Sequence, residues 1–469
     1  MGPREDCRRC REIIRWLHDQ EEGAKLYCSE CGSFYRKDAQ WVLDDNGTPV
    51  NEDQQEIFSI CSRCGWSGNE DEIVHVRGVY PPYRCPSCNS RVYNRQDETD
   101  RTVKSAGRPR KRSQADAVRD LILERLDAGE RKEVLDEHWH PMKRHFGEHF
   151  DAHFDRFMRD YLVIELGYLP MKVNVLDEFK GLIENDRGRS VKEIMYAIHQ
   201  CSELYCQLAF ASVEDKDLKA AIEGINMLEG EVAYPFLMMV LDDHYAGLIA
   251  RSDMLKVFRI IESYVLRRYI CGLPTNTLNR TFAMLLESIE PENYVESVMA
   301  AIASLAASRR MPGDEEFRRG FEAMEICYTG TVSFILDRLE NHGRKERIDI
   351  SNYAVEHIMP ERELLAPEWR KELGKNWRHV YETYYHTIGN LTLVGYAPEL
   401  GSSTFRRKQE MDGGFRNSHL CLNRGLADLD RWDEKAIKNR ASKLSKLACE
   451  VWPCPSLPGD VLDEYGVKD

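Results

Sequence analysis

The chain has 469 residues, a formal net charge of −14, 42% hydrophobic residues and 31% charged residues. These values are typical of a soluble globular protein of two to four domains. No stretch approaches the roughly 20 uncharged apolar residues of a membrane span, and the N-terminus lacks a signal-peptide core. We therefore expect a cytoplasmic protein without a membrane partner. The acidic balance excludes nonspecific coating of nucleic acid by the whole surface, but it permits a local basic patch.

Eight of the 15 cysteines form four Cys-x2-Cys pairs before residue 90. Two such pairs about 20 residues apart are typical of a zinc ribbon, in which four thiolates surround one Zn²⁺. We predict two structural zinc ions, held by ribbons at residues 1–50 and 51–98, although spacing alone does not separate ribbons from a cross-braced arrangement. The predicted ligands are Cys7, Cys10, Cys28, Cys31, Cys61, Cys64, Cys85 and Cys88. The seven remaining cysteines are interpreted as small core residues in a reducing compartment.

Residues 99–114 form a predicted basic linker, because six Lys or Arg and no acidic residue fall within residues 101–113. The triplet at residues 107–109, Gly-Arg-Pro, resembles the core of an AT-hook, whose arginines enter the A·T minor groove. Arg108, Arg110 and Lys111 are therefore candidate DNA contacts. The alternative interpretation is a solvated linker.

Residues 115–345 show the i, i+3/i+4 apolar spacing of helices, and we predict an all-α domain in which eight to ten helices run to about residue 341. Five histidines crowd one span of it, and the last three recur every fourth residue: His138, His140, His145, His149 and His153. Such a row can bind a metal ion. The interleaved phenylalanines favour the alternative, a histidine row beside a core-facing stripe. Further on, Arg267 and Arg268 either stabilise the carbonyl end of a helix or contact phosphate.

The sequence of residues 346–455 indicates a small α+β domain with a nuclease site. Its segments are VEHIMP at 355–360, HTIGNLTLV at 386–394 and FRRK at 405–408. Phosphodiester hydrolysis needs an activated water and stabilisation of the charge that develops on phosphorus. A neutral histidine can accept the proton from water, and we assign that role to His357. Glu356 faces the other side of the same strand and is the predicted ligand of a catalytic Mg²⁺ or Mn²⁺.

These segments, together with Trp432-x4-Ile437-x2-Arg440-x3-Leu444, resemble the C-terminal nuclease domain of GmrSD-type restriction endonucleases, which is of the HNH (His-Me finger, ββα-metal) type. The helical region is similar to the α-helical part of the same proteins, so the resemblance covers roughly residues 114–455. It implies a metal-dependent DNA endonuclease that restricts foreign, including base-modified, DNA or defends against phage. A second defence-system subunit is a conceivable partner.

The resemblance also implies roles for single residues. Asn390 would orient His357 through its side-chain amide and complete the catalytic set with His357 and Glu356. His386, Arg407 and Lys408 would contact phosphate.

The sequence departs from the family in two places. Zinc ribbons stand where the family has a ParB-like nucleotide-hydrolysing domain, whose Asp-Gly-Gln-Gln-Arg motif is missing, and Ala397 and Ser402 stand where the family has Asn. The alternative function is therefore a catalytically weakened zinc-ribbon protein that binds DNA or recruits a partner. The predicted architecture is multidomain: small β ribbons, a central all-α domain, the C-terminal α+β HNH domain and a tail at residues 456–469.

Overall fold

A computed structural model describes the backbone of nine short strands between residues 25 and 94, and residues 113–465 except 187, 329, 361–364, 396–400, 402, 459–460 and 463–464. The chain divides into two compact units, residues 1–110 and residues 111–469. The eight predicted zinc ligands and Arg108, Arg110 and Lys111 lie outside the described residues, so the zinc ions and the basic arm stay predictions. No helix in the described ranges is long and apolar enough to cross a membrane.

The first unit contains only short strands among its described elements. They are β1 (Lys25–Tyr27), β2 (Phe34–Arg36), β3 (Trp41–Leu43), β4 (Pro49–Asn51), β5 (Ser59–Ile60), β6 (Ser67–Gly68), β7 (Val74–His75), β8 (Tyr83–Arg84) and β9 (Tyr93–Asn94). All the pairings are antiparallel: β1 with β2, β3 with β4, β7 with β8, and β5 with both β6 and β9. The zinc ribbons proposed for this region stay a prediction.

The second unit begins with a helical region. Its helices are α1 (Gln114–Leu123), α2 (Ala128–Val134), α3 (His140–Phe146), α4 (Phe150–Leu166), α5 (Val175–Asn185), α6 (Val191–Phe210), α7 (Lys216–Met227), α8 (Tyr234–Tyr245), α9 (Arg251–Ile270), α10 (Leu278–Leu286), α11 (Tyr294–Ala303), α12 (Asp314–Ala323) and α13 (Val332–Asn341). The all-α prediction is confirmed, but the described residues hold thirteen α-helices rather than eight to ten.

Glycines divide the helical pattern more finely than its apolar spacing indicates. Gly147 ends α3 with a φ of 55°, and a 3-10 turn at Gly147–His149 precedes α4. Glycine adopts this left-handed conformation without the steric cost that a Cβ would bring. The row of His145, His149 and His153 is therefore interrupted, because each residue lies in a different element.

In its described residues, the C-terminal region adds one small sheet and several α-helices. Strands β10 (Tyr353–His357) and β11 (Leu391–Gly395) pair antiparallel, and the 3-10 turn Ile388–Asn390 leads into β11. The helices are α14 (Pro367–Leu373), α15 (Trp377–Tyr384), α16 (Phe405–Glu410), α17 (Cys421–Arg424) and α18 (Glu434–Val451). The predicted α+β character of this region is confirmed.

The sheet lies between two apolar clusters. Leu391 and Leu393 of β11 belong to the large cluster that fills the helical region, whereas Val394 belongs to a smaller one with Trp369 and Trp432. Successive residues of a strand point to opposite faces, so β11 is buried on both sides. Burial of this kind fixes the register of β10 against β11, because a slip by one residue would turn polar groups into both clusters.

One buried arginine ties the helical region to the C-terminal one, and its neighbour ties parts of the helical region to each other. The guanidinium group of Arg267 donates to the carbonyl oxygens of Trp452 and Pro312 and to Asp314, and Arg268 donates to the carbonyl oxygens of Arg310 and Pro274. Both side chains are buried. Their interpretation as phosphate contacts is therefore wrong, and they act as internal clamps that satisfy carbonyl groups.

Candidate functional site

The alternation of β10 places Glu356 and His357 on opposite faces of the sheet. Tyr353 and Val355 share a face with His357, and both pack against the large apolar cluster. Glu356 shares the other face with Ala354 and points towards α16. The two adjacent polar residues therefore meet different surroundings, as period-2 geometry requires.

Three side chains with metal-binding atoms converge on the His357 face. The Nε2 atom of His357 lies 3.4 Å from Nδ1 of His386. Cys327 joins them from the 3-10 turn Ile326–Tyr328, between α12 and α13. One ligand atom from each of the three residues lies within 4.8 Å of the others. Within the described residues, no other group of three or more His, Cys, Asp or Glu meets this condition.

Backbone pairing explains how Cys327 reaches the two histidines. The amide of Cys327 donates to the carbonyl oxygen of His386 at 3.3 Å, and an isolated antiparallel bridge joins Glu325 to Thr387. Backbone hydrogen bonding thus joins the end of the helical region to the segment that leads into β11. All three side chains are half-buried, so the cluster is shielded from bulk water but open to a ligand.

Burial shifts the proton equilibria of this cluster. The pKa of His357 falls to about 4, mainly through burial and further through the neighbouring His386 and Lys408. Burial alone lowers the pKa of His386 to about 4, and burial raises the pKa of the Cys327 thiol. Removing a charged form from water disfavours it. Both imidazoles are therefore neutral at pH 7, and each offers one nitrogen lone pair.

Two tyrosines hold the imidazole of His357 from the side. The ring of Tyr385 stacks on His357 with centroids 4.3 Å apart and an interplanar angle of 17°, and Tyr381 stacks on Tyr385 at 4.7 Å. Tyr385 also meets His386 edge to face at 4.2 Å. Contacts of this kind restrict ring rotation, so the column fixes the plane of the His357 imidazole.

Asn390 positions the site through the backbone. Its side-chain oxygen accepts from the amide of Met359 at 2.7 Å and from the indole nitrogen of Trp432 at 3.1 Å. Its side-chain nitrogen donates to the carbonyl oxygens of Met359 and Tyr385. Asn390 is fully buried. Asn390 therefore fixes the backbone at Met359, two residues after His357, and at Tyr385, just before His386. The expected role was to orient the imidazole of His357 directly.

Close packing explains the glycine before this asparagine. A Cβ atom on Gly389 would lie 2.8 Å from the carbonyl oxygen of Ile437 and 3.1 Å from the Cβ of Ala441, both on α18. On the same helix, Arg440 donates to the carbonyl oxygen of Ile388 at 3.0 Å. Gly389 thus allows the turn to pack closely against α18, and Asn390 connects the turn to the chain that follows β10.

The predicted metal ligand Glu356 is engaged by Lys408. The ammonium group of Lys408 lies 2.5 Å from Oε1 of Glu356 and donates to the carbonyl oxygen of His357 at 2.8 Å. The Lys408 side chain is fully buried, so its expected contact with phosphate is not available in this arrangement. Burial lowers the pKa of Lys408, and the charge of Glu356 opposes that effect.

This ion pair bears on the predicted Mg²⁺ or Mn²⁺. Mg²⁺ prefers carboxylate, carbonyl and water oxygens. The single carboxylate of Glu356 is neutralised by Lys408, and it faces away from the His357 cluster. The residues present do not fit a Mg²⁺ ion held by Glu356 next to His357. The donors that do converge are two nitrogens and one sulfur, a set that suits softer transition-metal ions.

The remaining candidates have mixed outcomes. Arg407 is exposed on α16 and lines an open groove of about 610 Å³ with Arg406 and Thr404. His386 lies in the cluster described above, where it can meet either a metal ion or a phosphate oxygen. Ala397 and Ser402 lie outside the described residues. The structure therefore brings His357, His386 and, through the backbone, Asn390 together, and it places Glu356 with Lys408.

Sequence reasoning missed three contributors to this site. Cys327 was grouped with the core cysteines because no motif links it to residues 30 positions further on. Tyr385 immediately precedes the HTIGNLTLV segment, yet its stacking on His357 depends on the path of the chain between α15 and β11. Arg440 belonged to a helical pattern, but no pattern indicated the carbonyl groups that it holds.

Residues 311–447 match the family model described as GmrSD restriction endonucleases, C-terminal domain. The match begins in the turn before α12 and includes Cys327, His357, His386 and Asn390. Among curated proteins, none matches the chain. The matched range supports a nuclease of the restriction endonuclease type, while the similarity of the preceding helices to the same proteins stays a prediction. The resemblance of this chain to the GmrSD-type restriction endonuclease family is thereby confirmed over residues 311–447.

Proposed function

We propose that this protein is a divalent-metal-dependent DNA endonuclease of the HNH type, which hydrolyses phosphodiester bonds in foreign or base-modified DNA as part of restriction or phage defence. The observation that carries the proposal is the placement of a neutral, half-buried His357 on β10, fastened by the buried Asn390, inside the matched domain. A nuclease needs a proton acceptor held beside its substrate, and His357 has both the chemistry and the fixed position.

The residues of the chain divide the work as follows. His357 accepts the proton of the attacking water, and the Tyr385 ring keeps its imidazole in one plane. Asn390 holds the backbone after His357, and therefore acts as a positioning residue. The exposed Arg407 supplies charge to hold a DNA phosphate near the site. His386, on the rim of the same cluster, is a second contact for a phosphate oxygen.

Glu356 contributes in a different way from the one first expected. Its carboxylate keeps the buried ammonium group of Lys408 charged, and that ammonium group binds the carbonyl oxygen of His357. An unpaired buried charge is costly, so the pair stabilises the end of β10. Glu356 and Lys408 are thus assigned to the support of His357, and which ion assists cleavage is left to the assay below.

A plasmid-nicking assay tests the proposal. The wild-type protein and His357→Ala are compared with Mg²⁺, with Mn²⁺ and with EDTA, on plain and on cytosine-modified phage DNA. We expect nicking by the wild type alone and its loss in EDTA. Absence of nicking by the wild type with every ion and substrate would overturn the endonuclease proposal.

A second candidate function is favoured by the Glu356–Lys408 pair. If Glu356 is unavailable to an ion, the domain can persist as a DNA-binding or partner-recruiting module beside the predicted zinc ribbons. The same assay separates the two functions when DNA binding is measured alongside it. Tight binding without nicking by either protein would favour recognition over cleavage.

A further inference from the structure

The cluster of Cys327, His357 and His386 has the dimensions of a transition-metal site. A tetrahedral Zn²⁺ with Zn–N distances of about 2.0–2.1 Å holds two nitrogen ligands about 3.4 Å apart. The separation of Nε2 of His357 and Nδ1 of His386 is 3.4 Å. At this distance the two ring nitrogens can share one hydrogen bond, or both can bind the same ion.

The third donor narrows the class of ion. The Cys327 sulfur lies within 4.8 Å of both nitrogens, and a Zn²⁺ ion would need it at about 3.6 Å from each, from the usual bond lengths. The thiol therefore has to move by at most about 1.3 Å. Thiolate and imidazole ligands select Zn²⁺ and similar thiophilic ions over Mg²⁺. Three protein ligands leave the fourth tetrahedral position open.

We propose that Cys327, His357 and His386 form a three-ligand site for a thiophilic transition-metal ion of the Zn²⁺ class, and that occupation of this site switches off the proposed nuclease. The first half of the proposal stands on the geometry of the cluster. The second half rests on the proposed function, because it concerns the imidazole that accepts the proton.

The inhibition follows from the chemistry of imidazole. A neutral imidazole has one lone-pair nitrogen and one N–H group. When an ion binds Nε2 of His357, the proton of the ring stands on Nδ1, and no lone pair remains to accept a proton from water. On binding, the Cys327 thiol releases its proton to solvent and the two neutral imidazoles release none. Ion binding and base catalysis by His357 therefore exclude each other.

The metal content of the full-length protein tests the first half. Native mass spectrometry counts the zinc ions bound to the wild type, Cys327→Ser, His386→Ala and the control Cys271→Ala, which removes another half-buried cysteine far along the chain. Zinc in the predicted ribbons is common to all four proteins and cancels in the comparison. We expect one ion fewer in Cys327→Ser and His386→Ala than in the wild type and Cys271→Ala. Equal counts in all four proteins would overturn the site.

Cobalt substitution distinguishes the loss of a metal ligand from the loss of metal through misfolding. Co²⁺ bound by a thiolate gives a sulfur-to-metal absorption band, and the difference spectrum between the wild type and Cys327→Ser reports that band directly. Far-ultraviolet circular dichroism checks that both proteins are equally folded. A band that is the same in both proteins would show that Cys327 is not a ligand.

Zinc inhibition tests the second half. Nicking with Mg²⁺ is measured against rising free Zn²⁺, and each protein is normalised to its own zinc-free rate. We expect the half-inhibiting Zn²⁺ concentration to rise about tenfold or more in Cys327→Ser, since loss of a ligand weakens the site, and to stay unchanged in Cys271→Ala. Equal inhibition of all three proteins would overturn the proposed inhibition by zinc. Whether the three residues bind a metal ion would still be decided by the metal count. Absence of zinc-free nicking would remove the proposed function and the switch together, and the metal count would still stand.

Discussion

Two histidine pairs in this protein have nearly the same geometry and different surroundings. In the helical region, Nδ1 of His138 lies 3.3 Å from Nδ1 of His199. In the C-terminal region, Nε2 of His357 lies 3.4 Å from Nδ1 of His386. The first pair has aromatic neighbours: His145 stacks on His199 at 5.2 Å and Tyr196 meets His138 edge to face at 5.7 Å, while Nδ1 of His145 contacts Ser202. The second has a thiol from a distant segment.

The difference shows that a short nitrogen–nitrogen distance does not define a site. The helical pair joins two packed helical segments, and among the described residues it gains no third ligand. The C-terminal pair lies where a strand, a turn before a second strand and a turn between two helices meet. Three separate segments can each direct one ligand atom to the same point. Two packed helices bring together only the side chains on their facing sides.

The largest expected effect separates the two pairs by activity. His357→Ala should lower the rate of plasmid nicking by about 10²–10⁴-fold, the usual contribution of a general base. His199→Ala changes an equally close pair but lies outside the matched domain, so its nicking rate should stay within about twofold of the wild type. The measurement is the initial rate with Mg²⁺ at saturating plasmid. Equal losses in both variants would contradict the assignment of the base.

The second prediction concerns stability, because Asn390 fastens the backbone beside the C-terminal pair. Asn390→Ala removes four hydrogen bonds and leaves the buried carbonyl oxygen of Met359 and the partly buried one of Tyr385 without this donor. An unsatisfied buried polar group costs about 1–3 kcal/mol, so we expect a loss of about 3 kcal/mol or more in the free energy of unfolding. Urea denaturation measures it.

The control for this substitution is Asn185→Ala. Asn185 is exposed at the end of α5, and its side chain donates only to the carbonyl oxygen of Gly181. Surface changes of this kind usually stay within about 0.5 kcal/mol. An Asn390→Ala protein as stable as Asn185→Ala would show that the buried amide does not fasten β10.

The sequence allowed much of this site to be predicted, and its limits have a physical cause. The helical region and the C-terminal α+β region followed from local patterns, because helices, strands and turns impose short-range spacing. His357 was predicted from the chemistry of its segment, and the role expected of Asn390 came from the resemblance to GmrSD-type nucleases. The partners of Glu356 and Arg267 did not, since their salt bridges join residues about 50 positions apart. Cys327 was missed for the same reason, and a lone cysteine carries no spacing signal.

A smaller effect concerns the ring column beside His357. Tyr385→Phe keeps the stacked ring, whereas Tyr385→Leu removes it and frees the imidazole to rotate. Stacked aromatic pairs contribute about 0.5–1.5 kcal/mol beyond burial, which corresponds to a loss of about 2- to 13-fold in the nicking rate of Tyr385→Leu. Tyr385→Phe should retain most of the wild-type rate. If the two variants lose activity equally, the hydroxyl group rather than the ring matters.

The smallest expected effect is on the pH dependence of stability, and it concerns the helical pair of His138 and His199 rather than the proposed metal ligands His357 and His386. Burial lowers the pKa of His199 to about 4 from the usual 6.5, and His145, His138 and Arg144 add to the effect. As the pH falls from 6.5 towards 4, the unfolded chain gains this proton while the folded chain does not, so stability decreases.

We therefore expect the melting temperature to fall between pH 7 and pH 5, and to fall by a few degrees less in His199→Asn, which has no titrating ring. The control is His140→Asn, because His140 is exposed on the first turn of α3. The same fall in the wild type and His199→Asn would contradict the assignment. Since His138 and His199 gain no third ligand among the described residues, excess Zn²⁺ should leave the difference between the wild type and His199→Asn unchanged. The same ion should raise the melting temperature through Cys327, because a ligand that binds only the folded state stabilises it.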